Sequence, residues 1–196
     1  MNAPSKHDIL RIAEENGFPL SAEEVEVFGQ SFEQSMRSYD RIAVLPEPRR
    51  APERARDTGW APRKEENSYG AWAWHSAIKT KAHGLLAGKR IVIKDNVAVA
   101  GLPMRNGSSL LEGYTPEEDA TVVSRILGAG GEIVGKAVSE NLCFSGGSHT
   151  SEPQPVLNPR DIGHMAGGSS SGSGALLASG ACDMAIGGDQ GGSVRI

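Results

Sequence analysis

Short apolar strands alternate with helices from about residue 85 onward, and this alternation constrains the fold more than any other feature of the chain. Apolar runs with polar ends are typical of buried strands, whereas apolar stripes that recur every three or four residues indicate helices. The pattern predicts helices at 119–127, near 139–144 and at 171–179, and strands at 90–94, 132–136 and 183–186. The order β-α-β indicates the α/β class.

The chain is expected to have three regions. Residues 1–45 are predicted to form a helical N-terminal region with two amphipathic helices, the second starting at a capping box of Ser21 and Glu24. Residues 46–68 are predicted to be a linker, because their prolines interrupt helices and central strands alike. Residues 69–196 then end without a terminating element, so we expect them to be the N-terminal part of a larger domain.

The composition is that of a soluble globular protein. Hydrophobic residues make up 38% and charged residues 22%, and the net charge of -4 lacks the basic surplus of a nucleic-acid binder. No apolar run approaches the roughly 18 residues that span a bilayer. We therefore expect a cytoplasmic protein without nucleic-acid or membrane partners. The two cysteines and five histidines have no disulfide or metal-ligand spacing, so no metal site is predicted.

Three segments, at 93–96, 167–174 and 188–195, carry residues suited to acyl transfer. Consecutive glycines leave backbone N–H groups uncovered, so the stretch from Gln190 to Ser193 can direct several donors at one oxyanion beside the Ser193 hydroxyl. Serine is a weak nucleophile unless a base takes its proton. Because no histidine stands in a triad motif, lysine is the candidate base.

Lys94 is the best placed lysine for this role. Only a neutral lysine accepts a proton, so its pKa must fall from about 10.4 to near neutrality, which costs about 4 kcal/mol. Lys94 ends an apolar strand and is better placed for burial than the lysines in polar surroundings, which are Lys6, Lys64, Lys79, Lys81 and Lys89. A second hydroxyl can relay the proton where Lys94 does not reach Ser193 directly.

At these segments the chain resembles the amidase signature family, whose mark is a Gly/Ser-rich stretch followed by Asp-X-Gly-Gly-Ser-(Ile/Val)-Arg. The resemblance runs from about residue 69 to Ile196. It implies a mixed sheet with helices on both faces, incomplete at the C-terminus. By motif position it implies a catalytic set of Lys94, Ser169 after a cis peptide bond, and Ser193 as nucleophile.

The family also implies the surroundings of this set. Asp189 and Arg195 would flank the nucleophile loop as structural residues. The oxyanion and substrate-binding residues would be Gln190, Gly191, Gly192, Gly146 and Gly147.

Within the family, the chain is most similar to the stand-alone amidases found with nitrile hydratases. The likeness lies in the 187–193 and 145–150 segments and in the helical N-terminal extension. It implies hydrolysis of a small-molecule carboxamide to carboxylic acid and ammonia through an acyl-enzyme at Ser193. No cofactor is expected, and the full-length protein is expected to be a homodimer.

Three alternatives stay open. The chain could belong to the A subunit of a glutamyl-tRNA amidotransferase, although such proteins more often carry Thr where this chain has Gln190. It could be a truncated, non-catalytic fragment, since an incomplete sheet would leave residues 1–196 inactive and prone to aggregate. Finally, Gly168 to Gly172 fit the G-x-S-x-G elbow of an esterase around Ser170, but that motif requires a preceding strand and residues 158–165 are predicted to be a loop.

Overall fold

The computed structural model describes residues 2–46, 56 and 58–196. The chain divides into two compact units, Met1–Arg49 and Arg50–Ile196. The predicted Pro/Arg-rich linker at 46–68 lies in large part, at 47–55 and 57, outside the described residues.

The first unit consists of two helices, α1 (Lys6–Glu15) and α2 (Ala22–Ala43). Both begin at a serine whose side chain accepts a backbone N–H in a capping box, and for α2 this is the predicted pair of Ser21 and Glu24. Among the helices that the structure describes, none has the length and apolar character that crossing a bilayer requires. The apolar faces line a cavity of about 440 Å³, with Ile9, Ile12, Phe18, Leu20, Phe28 and Phe32 among its residues.

The strands of the second unit are β1 (Trp72–Ile78), β2 (Arg90–Lys94), β3 (Glu132–Ala137), β4 (Leu157–Asn158), β5 (Asp161–Met165) and β6 (Met184–Ile186). Among the described residues, the main sheet has the strand order β1-β3-β2-β6. Strand β2 runs parallel to β3 and β6, whereas β1 is antiparallel to β3. The helices are α3 (Thr121–Gly128) and α4 (Ser171–Ala178), with short 3₁₀ turns at Lys64–Glu66, Ser109–Leu111 and Asn141–Cys143.

Alternate residues of β2 bury on opposite faces of the sheet, as the pleat of a strand requires. Ile91 and Ile93 pack in the core with α3, whereas Val92 packs in a second core with α4. The predicted mixed sheet with helices on both faces is therefore confirmed.

Helix α4 lies close against the end of β3. The Gly172 N–H donates a 2.8 Å hydrogen bond to the Val138 carbonyl, and a Cβ on Gly172 would lie 2.5 Å from the Ala71 carbonyl oxygen. The small residues of this helix thus permit a close approach to the sheet.

Three predicted elements need correction, and one strand was missed. Strand β1 was not predicted. Helix α3 begins at Thr121 rather than at 119, because the Asp119 carboxylate accepts a 2.8 Å hydrogen bond from the Ala100 N–H. The helix expected at 139–144 is a single 3₁₀ turn, since Leu142 and Cys143 both have positive φ. The expected loop at 158–165 is mostly strand, because β4 and β5 pair as a hairpin.

Candidate active site

Lys94 is the last residue of β2, and its side chain is fully buried. The Lys94 Nζ donates a 2.8 Å hydrogen bond to Ser169 Oγ and lies 3.4 Å from the Gly188 carbonyl oxygen. A hydroxyl is both donor and acceptor, so a neutral Lys94 amine can accept the Ser169 proton across the same contact. The strand end and the serine that the sequence paired are therefore in contact in the structure.

Burial lowers the pKa of Lys94, because removal from water disfavours the charged ammonium. Cys143 and Asp189 oppose this shift, since their interactions with the ammonium favour the charged form of Lys94. Within the described residues, no carboxylate lies within ion-pair distance of the Lys94 Nζ. Burial thus shifts Lys94 in the direction of the neutral amine that a proton acceptor requires.

Ser169 precedes α4 and touches several parts of the site. The peptide bond between Gly168 and Ser169 is cis, as the resemblance implied. The Ser169 carbonyl oxygen accepts a 3.1 Å hydrogen bond from the Glu140 N–H. A Cβ on Gly168 would fall on the Gly147 carbonyl oxygen, well inside van der Waals contact, so only glycine fits there.

The loop that carries Ser193 is closed by an ion pair. The Arg195 guanidinium donates to both carboxylate oxygens of Asp189, at 2.8 and 3.0 Å, and the Gly192 N–H donates to the same carboxylate at 2.7 Å. These charge-assisted hydrogen bonds hold the pKa of Asp189 well below its usual range. Asp189 and Arg195 therefore form the loop closure expected of flanking structural residues.

Ser193 is joined to the Ser169 segment through the backbone, because its carbonyl oxygen accepts the Ser170 N–H at 3.1 Å. The half-buried Ser193 lines a cavity of about 180 Å³ together with Gly167 and Gly168. Across the ranges 2–46, 56 and 58–196, the Ser193 hydroxyl has no hydrogen-bond partner. The structure thus brings Lys94 and Ser169 into direct contact and links Ser193 to the neighbouring Ser170 through the backbone.

The predicted oxyanion residues divide into two kinds. The Gly192 N–H is engaged by Asp189, whereas the N–H groups of Gln190, Gly191 and Ser193 have no acceptor among the residues that the structure describes. Three backbone N–H donors in this loop therefore have no hydrogen-bond acceptor among the described residues.

The Gln190 side chain lies close to Gly188. A Cβ placed on Gly188 would lie 3.9 Å from Gln190 Nε2 and 3.8 Å from Lys94 Nζ. The amide of Gln190 and the amine of Lys94 thus approach the same glycine, at the edge of the site.

Gly146 and Gly147 border the serine segments. The Ser171 Oγ donates to the Gly147 carbonyl oxygen at 3.4 Å, and a Cβ on Gly146 would lie 3.2 Å from the Ile196 side chain. Both glycines therefore lie close to the chain segments that follow Ser169 and Ser193.

The esterase reading centred on Ser170 meets a different obstacle from the one expected. Strand β5 does precede the motif, but it belongs to the exposed two-stranded sheet. The Ser170 hydroxyl is occupied by Gly188, donating to its carbonyl oxygen and accepting its N–H, both at 3.2 Å. Ser170 thus has a structural role, because its hydroxyl links the start of α4 to the glycine loop through hydrogen bonds to Gly188.

Sequence reasoning overlooked two fully buried charged residues, Lys136 and Glu140. Lys136 Nζ lies 3.0 Å from Asp95 Oδ1, and the other carboxylate oxygen of Asp95 accepts the N–H groups of Arg105 and Asn106. The signal was available for Lys136, which stands near the end of an apolar strand just as Lys94 does. Among the described residues, no three His, Cys, Asp or Glu side chains group as metal ligands.

Comparison with known proteins gives consistent matches. A family model described as Amidase matches residues 62–196. An enantioselective amidase from Rhodococcus rhodochrous is 46% identical over 205 residues, covering 100% of this chain and 38% of that protein. The glutamyl-tRNA(Gln) amidotransferase A subunit from Methanosarcina mazei is 46% identical over 112 residues, covering 57% of this chain and 24% of that protein.

A solved structure shows the same similarity in three dimensions. The crystal structure of the glutamyl-tRNA(Gln) amidotransferase A subunit from Thermotoga maritima matches with a TM-score of 0.62 at 34% identity. The match covers 66% of this chain and 29% of that one. The chain thus spans well under half the length of these relatives.

Proposed function

Because this chain belongs to the amidase family, we propose that the protein hydrolyses a small-molecule carboxamide to a carboxylic acid and ammonia. The observation that carries the proposal is the 2.8 Å contact between the buried Lys94 amine and the Ser169 hydroxyl, next to the loop of Ser193. A base of lowered pKa, a relay hydroxyl and an unengaged hydroxyl are what activation of a serine nucleophile requires.

In the first half of the reaction, Ser193 Oγ attacks the amide carbon. Its proton passes to Ser169, and the Ser169 proton passes to Lys94. The N–H groups of Gln190, Gly191 and Ser193 hold the oxyanion that forms on the carbonyl oxygen. When the C–N bond breaks, the proton returns through the relay to the leaving nitrogen, so ammonia departs and an acyl-enzyme remains on Ser193.

In the second half, water attacks the acyl-enzyme. The relay of Ser169 and Lys94 takes a proton from the water, and the same donors stabilise the second oxyanion. The ester bond to Ser193 then breaks and its oxygen regains a proton, which releases the carboxylic acid. Each step needs only the side chains already named, so the proposal includes no cofactor.

The second candidate function is that of the A subunit of a glutamyl-tRNA amidotransferase, since proteins of that name are among the relatives. The alignment with the enantioselective amidase takes in the whole chain, whereas the Methanosarcina protein aligns with 57% of it. That difference favours a stand-alone amidase. A requirement for tRNA or for a partner protein would favour the second candidate instead.

The proposal also concerns the chain length that activity requires, and the location and oligomeric state of the protein. We propose that residues 1–196 alone are inactive, because they correspond to 38% of the Rhodococcus amidase. We also propose a cytoplasmic homodimer, with the exposed apolar side chains of the helical unit, such as Phe28 and Phe32, as support for association. Cell fractionation and light scattering of the complete gene product test these two points.

The test of function is ammonia release from a panel of aliphatic and aromatic amides by the complete gene product. Wild type is compared with Ser193→Ala and with Ser170→Ala, which alters the neighbouring serine of the esterase reading. We expect release by wild type, none by Ser193→Ala, and continued release by Ser170→Ala. A folded wild type that releases no ammonia would refute stand-alone amide hydrolysis.

A further inference from the structure

Glu140 is a fully buried carboxylate whose partners all lie in one loop. Its Oε1 accepts hydrogen bonds from Ser145 Oγ at 3.0 Å, Thr150 N at 3.2 Å and Thr150 Oγ1 at 2.5 Å, and its Oε2 accepts one from Ser151 Oγ at 3.0 Å. No cation pairs with it in the described part of the chain. Every donor to this charge therefore comes from residues 145–151, named here the 145–151 loop.

The balance of forces on Glu140 shows that the carboxylate is held in its charged form. Burial alone raises the pKa of Glu140, but the hydrogen bonds from Thr150, Ser151 and Ser145 outweigh it and lower the pKa below the usual range. Burying a charge without a counter-ion is costly unless its lone pairs are satisfied. The loop must keep its present shape to satisfy them.

The backbone of Glu140 reaches the catalytic segment directly. The Glu140 N–H donates to the Ser169 carbonyl oxygen at 3.1 Å. On the other side, the loop that the carboxylate organises carries Gly146 and Gly147, and the Gly147 carbonyl oxygen lies against Gly168 with no room for a side chain. One residue thus connects the loop of Gly146 and Gly147 with the chain segment that holds Ser169.

We propose that Glu140 is a positioning residue that sets the 145–151 loop for binding of the substrate amide. This inference rests on the proposed function, because it assigns the loop of Gly146 and Gly147 to the substrate. The side chain of Glu140 acts on the loop, while its backbone contact with Ser169 is independent of the side chain. Changes to the carboxylate should therefore affect substrate binding more than the reactivity of Ser193.

The test compares Glu140→Gln with wild type in the complete gene product. We expect KM for the amide to rise roughly tenfold to a hundredfold, the effect of a weakened hydrogen bond to a charged group. Sulfonylation of Ser193 by a small sulfonyl fluoride, which does not use the loop, should change by less than about twofold. An unchanged KM, or equal losses in both reactions, would overturn the inference.

Two further variants protect the result against a folding defect. Thr150→Val removes one hydroxyl donor at an exposed position and should raise KM in the same direction by a smaller factor. Glu117→Gln, which neutralises an exposed carboxylate, is the matched control and should leave KM and labelling unchanged.

Hydrogen–deuterium exchange separates failure of this inference from failure of the proposed function. Exchange at the amides of the 145–151 loop should be faster in Glu140→Gln than in wild type, whether or not an amide substrate has been found. Unchanged exchange would overturn the positioning role by itself. Conversely, hydrolysis that survives in Ser193→Ala would refute the proposed mechanism and leave the exchange result standing.

Discussion

Lys94 and Lys136 are both fully buried on neighbouring parallel strands, yet their side chains leave the sheet on opposite faces. The register places Lys136 beside Ile93, in the core under α3, and Lys94 beside Ala137, in the core under α4. Lys136 meets the Asp95 carboxylate at 3.0 Å, whereas Lys94 meets a serine hydroxyl. The same residue type thus has a counter-ion on one face and a hydroxyl hydrogen-bond partner on the other.

Replacement of Lys94 by Met should remove activity and leave the fold intact. Met keeps most of the side-chain volume, and no ion pair to Lys94 is lost within the described residues. Loss of a general base typically costs 10²–10⁴-fold, so kcat/KM for amide hydrolysis should fall by about that factor. Steady-state ammonia release measures the loss, and thermal melting by circular dichroism checks the fold. Activity near that of wild type would contradict the role of Lys94 as base.

Replacement of Lys136 by Met should destabilise the protein, because it leaves the buried Asp95 carboxylate without its cation. Removal of one partner from a buried pair costs about 3–5 kcal/mol in the free energy of unfolding. Urea denaturation of the complete protein measures this change, and Lys89→Met, at an exposed lysine, is the matched control. Because the two sites interact, Asp95→Asn combined with Lys136→Met should cost less than the sum of the single changes. Equal stability of Lys136→Met and wild type would show that the ion pair contributes nothing.

The pH dependence of kcat/KM should show an acid limb set by Lys94. A protonated Lys94 cannot accept a proton, so activity is present above its pKa and is lost as the pH falls through it. Since burial lowers that pKa, the limb should lie below the ordinary lysine range.

Cys143 offers a direct check on this assignment. It opposes the effect of burial on Lys94, so Cys143→Ala should lower the pKa of Lys94 further and move the acid limb to lower pH. Cys182→Ala, in the core under α4, serves as the control and should leave the limb in place. A limb that does not move in Cys143→Ala would show that another group controls it.

Much of the fold could be predicted because local pattern and tertiary role agree. The apolar run of β2 and the capping box of α2 each specify one structure, and both were predicted correctly. Lys94 and Ser169 could be paired only through the family motifs, since they are 75 residues apart in sequence. Motif order carried information that periodicity could not supply.

The remaining features depend on contacts that no local pattern encodes. Strand β1 has two tryptophans and a histidine, which give no clear alternation, and it becomes a strand by pairing with β3. Glu140 reads as an ordinary surface acid until the structure brings Thr150 and Ser151 around it. The structural role of such residues is apparent only from their contacts in the tertiary structure.

Two glycines of the same Gly/Ser-rich stretch should respond in opposite ways to alanine. A Cβ on Gly168 would collide with the Gly147 carbonyl, a backbone atom that cannot move without displacing the loop beside Ser169. A Cβ on Gly174, at an exposed position within α4, meets nothing within 4 Å. Gly174→Ala should therefore be neutral or stabilising by up to about 1 kcal/mol, since alanine favours helix more than glycine does.

For Gly168→Ala we expect a loss of both stability and amide hydrolysis, because relief of the collision must shift either the 145–151 loop or the serine that contacts Lys94. Urea denaturation and ammonia release by the two variants of the complete protein measure the contrast. If Gly168→Ala behaved like Gly174→Ala, the close approach of Gly147 to the Ser169 segment would not hold in solution. The site would then lack the tight packing that the proposed relay from Ser193 to Lys94 requires.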